Sequence, residues 1–265
     1  MAQDTVNDSK APLLTHLCEL RSRLLYCLAF FLCVFGVSYY FSVEIYQFLQ
    51  QPLAAQFDGT HPRRMIYTGL QEAFFTYMKV AFFSALFFSI PLMLIQVWRF
   101  LSPGMYQHEK KGMLPLFLMT PVLFVAGAAL AFYVVMPVAW EFFMSFETTG
   151  ADNTIRVELE AKVSEYLSLV IKLILAFGIC FELPVFLLVL AKARLITAQT
   201  LRHYRRHAIV IIFLLAAFIT PPDLISQIAL GTPIILLYEL SVWLVAMGET
   251  KANNSQLAPS DSVGS

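Results

Sequence analysis

The chain has 265 residues, 58% of them hydrophobic and 14% charged, with a formal net charge of zero. Soluble domains carry roughly 45–50% apolar and about 25% charged residues, so an ordinary water-soluble globule is excluded and much of the apolar surface must meet lipid. Zero net charge gives no bulk attraction for nucleic acid or an acidic partner, which leaves recognition to local clusters.

At the N-terminus, Leu13, Leu17, Leu20 and Leu24 recur at helical spacing, with His16, Glu19 and Arg23 on another face. This pattern predicts an amphipathic interfacial helix within an N-terminal segment 1–23, its polar face a docking surface. A hydrocarbon core of about 30 Å needs roughly 20 apolar residues per helix. Six segments qualify, at about 24–41, 73–98, 114–137, 166–190, 207–220 and 227–247, and define a membrane domain over 24–247. Arg21 and Arg23 precede the first without a small-residue cleavage site after it, so that span is expected to be retained. Neither end carries a lipidation signal. The fifth segment is short, and local membrane distortion is expected around it.

The loops at 42–72 and 138–165 contain amphipathic stretches, Val43–Phe57 and Ala139–Phe146. Pro91, Pro115, Pro121, Pro137, Pro184 and Pro233 predict bent helices. Residues 248–265 are expected to form a disordered tail. Twelve Lys and Arg residues lie on the side of the two termini and six on the other, which predicts that both termini are cytoplasmic. Cys18, Cys27, Cys33 and Cys180 have no ligand-like or disulfide-framework spacing and read as small apolar packing residues.

Within the spans, Glu182 interrupts the apolar run Leu173–Leu188. A carboxylate inside a span costs on the order of 3 kcal/mol on insertion scales and usually faces protein or a water-filled cavity. It serves either a polar task or a hydrogen bond between helices. In the loop after the second span, Glu109 is the only acidic residue, beside Lys110 and Lys111; its simplest role is a surface ion pair. Asp223 follows Pro221–Pro222 and is placed to N-cap the sixth span, with Gln227 on the same edge. Glu239 lies near the inner end of the sixth span, where snorkelling or helix pairing accounts for it. His203 and His207 are four apart, but the sequence offers no third ligand and Arg202, Arg205 and Arg206 would repel a cation, so no metal is expected. Glu72 and Lys79 are seven apart and share a helix face without an assigned role.

The segment His16–Leu24, the loop Trp98–Lys111, Phe181–Glu182–Leu183–Pro184 and Thr220–Pro221–Pro222–Asp223 occur in this order around the six spans. Together they resemble the TatC family, the large subunits of twin-arginine protein translocases, over about residues 12–247. The resemblance implies an all-α polytopic membrane protein of six bent spans forming a concave, glove-like surface. It implies a non-enzymatic receptor that binds twin-arginine signal peptides of folded cargo, with self-association and with TatB- and TatA-type single-span partners. Export would be driven by the protonmotive force across a bacterial cytoplasmic (inner) membrane. Residue by residue, Phe100 and Glu109 match the aromatic and acidic positions of the recognition loop, and Glu19 and Arg21 lie in the matching N-terminal segment. Glu182 matches the polar residue facing the concave membrane surface, and Asp223 and Gln227 lie at the outer edge, where partners meet.

The chemistry fits, because a carboxylate meets a guanidinium's planar fork bidentately and an aromatic ring stacks on it. The competing reading is a proton-coupled secondary transporter using Glu182. An intramembrane enzyme lacks any catalytic constellation, and no cofactor or nucleotide site is expected.

Overall fold

The structure is a computed structural model that describes residues 10–55, 64–101, 107–147, 159–193, 195–219 and 224–257; within these, side chains at 10–16, 98, 101, 107–117, 225–226 and 251–257 lie outside the description. Helices account for nearly all of it: α1 (Lys10–Tyr40), α2 (Ser42–Ala54), α3 (Glu72–Leu101), α4 (Gln107–Leu130), a π-helical turn (Ala131–Val135), α5 (Met136–Met144), α6 (Val163–Phe181), α7 (Leu183–Lys192), α8 (Ala198–His203), α9 (Arg205–Ile219) and α10 (Leu224–Leu257). The chain divides into two compact units, one of Met1–Pro121 with Phe143–Ile171 and one of Val122–Phe142 with Lys172–Ser265.

In the first unit α1 and α3 lie side by side, Phe31 meeting Phe82 edge to face at 5.4 Å. On α3, Ala81, Ala85 and Ser89 recur every four residues and are fully buried, the small-residue ridge that lets membrane helices approach closely. Ser42, Tyr46, Leu49 and Leu53 follow the helical period along α2 and are its buried face. Tyr46 packs edge to face on Tyr77 of α3 at 5.6 Å. Burial and a hydrogen bond with Tyr67 push the Tyr46 phenol well above its usual pKa. The Tyr166 hydroxyl donates to the Leu49 carbonyl at 2.7 Å, tying α2 to the start of α6. A parallel bridge, Ile66 to Lys162, joins the stretches that precede α3 and α6. Glu72 accepts from the Thr68 and Gly69 amides at 2.8 and 3.2 Å, closing the turn into α3. Lys79 donates to the Ser168 hydroxyl, which in turn donates to the Ser164 carbonyl.

In the second unit the π-helical turn precedes Pro137. The proline has no N–H to give the carbonyl four residues back, and its ring would clash there, so the helix widens locally. Gly127 and Gly178 allow close packing: a Cβ on Gly127 would lie 2.5 Å from the Phe177 carbonyl oxygen, and one on Gly178 2.7 Å from the Phe124 ring. Short α8 is N-capped by Thr197, whose hydroxyl accepts from the Thr200 amide at 3.1 Å. It is fixed to α10 by the Ala198 amide on Glu249 (2.9 Å) and the Tyr238 hydroxyl on the Leu201 carbonyl (2.8 Å). Arg205 at the start of α9 pairs with Glu239 of α10.

Several boundaries differ from those read in the sequence. The predicted interfacial helix is not separate: α1 runs unbroken through residues 23 and 24, since no Gly or Pro intervenes between Pro12 and Gly36. The third span continues to Met144, absorbing most of the expected amphipathic stretch Ala139–Phe146. Helix α10 continues to Leu257, ten residues into the expected disordered tail, where Gly248 is the one weak helix former before residue 252 and Glu249 is anchored on α8. Among the described residues, five helical stretches are long and apolar enough to cross a membrane: Leu17–Tyr40, Glu72–Val97, Leu118–Met144, Val163–Lys192 and Gln227–Thr250. The predicted fifth span is α9, whose 15 residues fall short of that length.

Candidate functional site

Polar side chains gather at one end of the α1–α3 pair. Glu19 and Arg23 are four apart on α1, and the Arg23 Nε donates to Glu19 Oε1 at 3.0 Å, with Nη2 on the same oxygen. Its Nη1 donates to Gln96 Oε1 on α3, also at 3.0 Å. Arg23 thus joins the two helices through a half-buried guanidinium. Two hollows meet at this link. One, of about 450 Å³, runs along apolar side chains and reaches Phe100. The other, of about 310 Å³, is lined by Glu19, Ser22, Tyr26 and Arg99, and both share Arg23 and Gln96.

Of the residues predicted for recognition, Glu19 and Phe100 border these adjoining hollows. Arg21 is exposed on α1 and lines neither. Glu109 is helical in backbone, within α4, but its side chain lies outside the described residues. Sequence reasoning missed Gln96, an amide inside an otherwise apolar run whose partner is 73 residues away in the chain. The Glu19–Arg23 spacing of four was a visible signal for the pair.

Glu182 occupies the break between α6 and α7, where its own amide donates to the Ile179 carbonyl at 3.0 Å and its carbonyl accepts from Phe186 at 2.9 Å. Pro184 stands at the first turn of α7, the position where its missing N–H costs no helical bond, and the helix restarts there. The residue is buried, 9% exposed, at the junction of α6 and α7. Asp223 lies outside the described residues, so the expected cap of the last helix does too. Gln227 donates through Nε2 to the Phe213 carbonyl at 2.9 Å, joining α10 to α9.

The family model described as "Sec-independent protein translocase protein (TatC)" matches residues 15–233. A Sec-independent protein translocase protein TatC of Rickettsia prowazekii is 47% identical over 235 residues, 89% of this chain and 92% of that protein. The TatC of Haemophilus influenzae is 37% identical over 256 residues, 96% of each chain. A crystal structure of the twin arginine translocase receptor TatC superposes with a TM-score of 0.76 at 34% identity, covering 88% of this chain and 99% of that one. A second, of the same receptor in DDM, gives 0.75 at 35% identity, over 87% and 99%.

Proposed function

The chain belongs to the TatC family of Sec-independent protein translocase proteins, and from that premise we propose that it is the signal-recognising core of a twin-arginine translocase. In this reading six spans, α9 among them, form a concave surface with both termini in the cytoplasm of a bacterium. Twin-arginine signal peptides dock at the cytoplasmic end of α1 and α3 and on the loop that follows. Glu109 and Glu19 receive the guanidiniums, Phe100 covers an arginine stem, and Arg21 belongs to the same signal-peptide-binding surface. Glu182 contacts signal or partner helices, while Asp223 and Gln227 shape the edge where TatB- and TatA-type subunits pack. Folded cargo is then exported at the expense of the protonmotive force.

The observation that carries this reading is the meeting of Glu19, Arg23, Gln96 and Phe100 at one end of the α1–α3 pair. It is a charged and aromatic cluster at a membrane boundary, in a chain matched to translocases over most of its length. Membership of that family removes the grounds for a solute transporter built on Glu182.

The test is photocrosslinking of a twin-arginine peptide to the full chain in membranes, comparing wild type with Glu109→Ala. A lost charge-assisted hydrogen bond contributes about 1.5–3 kcal/mol, so yield at limiting peptide should fall roughly tenfold or more. A twin-lysine peptide should crosslink as weakly as the variant. Equal crosslinking of both peptides, unaffected by Glu109→Ala, would remove Glu109 from the site.

A further inference from the structure

We infer that Arg23 is a resident guanidinium that occupies Glu19 until an incoming signal arginine displaces it, leaving it held by Gln96. This rests on the docking of twin-arginine peptides at Glu19 and Glu109 proposed above. It makes Arg23 a positioning residue that sets the affinity of that docking by competing for one of its carboxylates. Arg23 already makes the contact a signal arginine would seek. Its Nε and Nη2 both donate to Glu19 Oε1, while Nη1 donates to Gln96 Oε1 on α3. The Arg23 side chain is 19% exposed and that of Glu19 37%, so water screens the pair less than it would an open surface pair. Glu19 has a further interaction besides these, and its carboxylate is therefore engaged before any ligand arrives.

The stoichiometry of docking then sets up a conflict. Two signal guanidiniums approach the two carboxylates assigned to them, and one of those carboxylates is already held by a third guanidinium. Bidentate docking uses both oxygens of a carboxylate, yet two N–H groups of Arg23 hold Oε1 of Glu19. Gln96 resolves the conflict. As a neutral acceptor on the neighbouring helix it keeps Nη1 when Nε and Nη2 let go, so the displaced guanidinium retains a partner without contesting the carboxylate. The hollow of about 310 Å³ beside the pair, lined also by Ser22, Tyr26 and Arg99, gives the released edge of Arg23 room and water. The state competent to dock is thus a minor one in the free chain, and the apparent affinity for the peptide is lowered by its fraction.

The experiment measures binding of a fluorescent twin-arginine peptide to the full chain in lipid nanodiscs. Glu19→Gln should weaken binding. Arg23→Gln should tighten it roughly fivefold, and on a Glu19→Gln background the same substitution should bring no gain, because no carboxylate is freed. Equal gain on both backgrounds would make Arg23 a source of charge repulsion instead of an occupant of Glu19, and overturns the proposal. No gain from Arg23→Gln while Glu19→Gln still weakens binding also overturns it, and leaves the docking reading standing. Binding unaffected by Glu19→Gln removes the peptide from that carboxylate and overturns both. A second measurement uses the unsubstituted chain with isotope-labelled arginine. The Arg23 Nε–H resonance, assigned by its absence in Arg23→Lys, should exchange slowly with water in the free chain and quickly once unlabelled peptide is bound. Protection that survives saturation with peptide would mean that Arg23 keeps Glu19, and overturns the displacement.

Discussion

Glu182 carries a carboxylate into the most apolar part of the chain, and the backbone beside it explains how the helix tolerates a break there. The helix restarts at Leu183 with Pro184 in its first turn, so Glu182 sits at a one-residue turn between α6 and α7. Its burial leaves two roles to separate, hydrogen bonding and charge. Glu182→Gln keeps the shape and the hydrogen-bonding capacity, whereas Glu182→Ala removes both. Export measured in whole cells should be largely retained by Glu182→Gln and reduced several-fold by Glu182→Ala, because a buried polar partner left without its bond costs about 1–3 kcal/mol. Equal loss in both variants would show that the Gln amide cannot replace the carboxyl group, and would overturn a role of hydrogen bonding through shape alone. A lone acid in an apolar run is the easiest kind of site to read in a sequence, since burial of charge has so few structural excuses. Gln96 illustrates the opposite case. An amide near a helix end costs little, carries no periodic signal, and becomes meaningful only through Arg23 on another helix.

Helix positions were legible because apolar length dominates; helix ends were not, because they depend on contacts distant in sequence. The turn into α3 is closed by Glu72 on the Thr68 and Gly69 amides, and α10 is prolonged past the apolar stretch by Glu249 on α8. Neither was visible as spacing. The prolines predicted bends, yet the π-helical turn before Pro137 and the one-residue interruption at Glu182 are specific answers that the bare presence of proline does not select. The glycines make a sharper test. Gly127 and Gly178 face Phe177 and Phe124, with no room for a methyl group, whereas Gly36 and Gly248 have nothing within 4 Å of the added carbon. Gly127→Ala and Gly178→Ala should each destabilise by about 1–3 kcal/mol through overpacking. Gly36→Ala, in the interior of α1, should instead stabilise by roughly 0.5–1 kcal/mol. Thermal unfolding midpoints in one detergent should therefore move in opposite directions for the two classes. A common direction would mean that the close approach of Gly127 to Phe177 does not limit stability.

Across the molecule, the helices do not share one length. Among the described residues, the stretches long and apolar enough to cross a membrane have 24 to 30 residues, whereas α9 has 15 and at 1.5 Å per residue extends only about 22 Å. Two of its residues are the arginines Arg205 and Arg206, at the end where Arg205 is held by Glu239. Anchored there, α9 cannot slide to meet both surfaces of a hydrocarbon core about 30 Å thick. Its exposed apolar residues Val210, Leu214 and Phe218 nevertheless require lipid or a partner helix. In the proposed six-span arrangement the bilayer thins beside α9, at a cost of fractions of a kcal/mol per Å of mismatch. Over a deficit of about 8 Å this amounts to a few kcal/mol, a sizeable fraction of the roughly 5–15 kcal/mol that holds a domain folded. Bilayer thickness should therefore act on this protein more strongly than on a helix bundle of uniform length. Reconstituted in phosphatidylcholines of increasing chain length at fixed headgroup, the chain should unfold at progressively lower denaturant as the core thickens past α9. Arg205→Leu with Arg206→Leu lengthens the apolar stretch by two residues, about 3 Å, and should move that onset toward longer lipids. An onset unchanged by this substitution would show that α9 is shielded from the bilayer and that thinning is not imposed by its length.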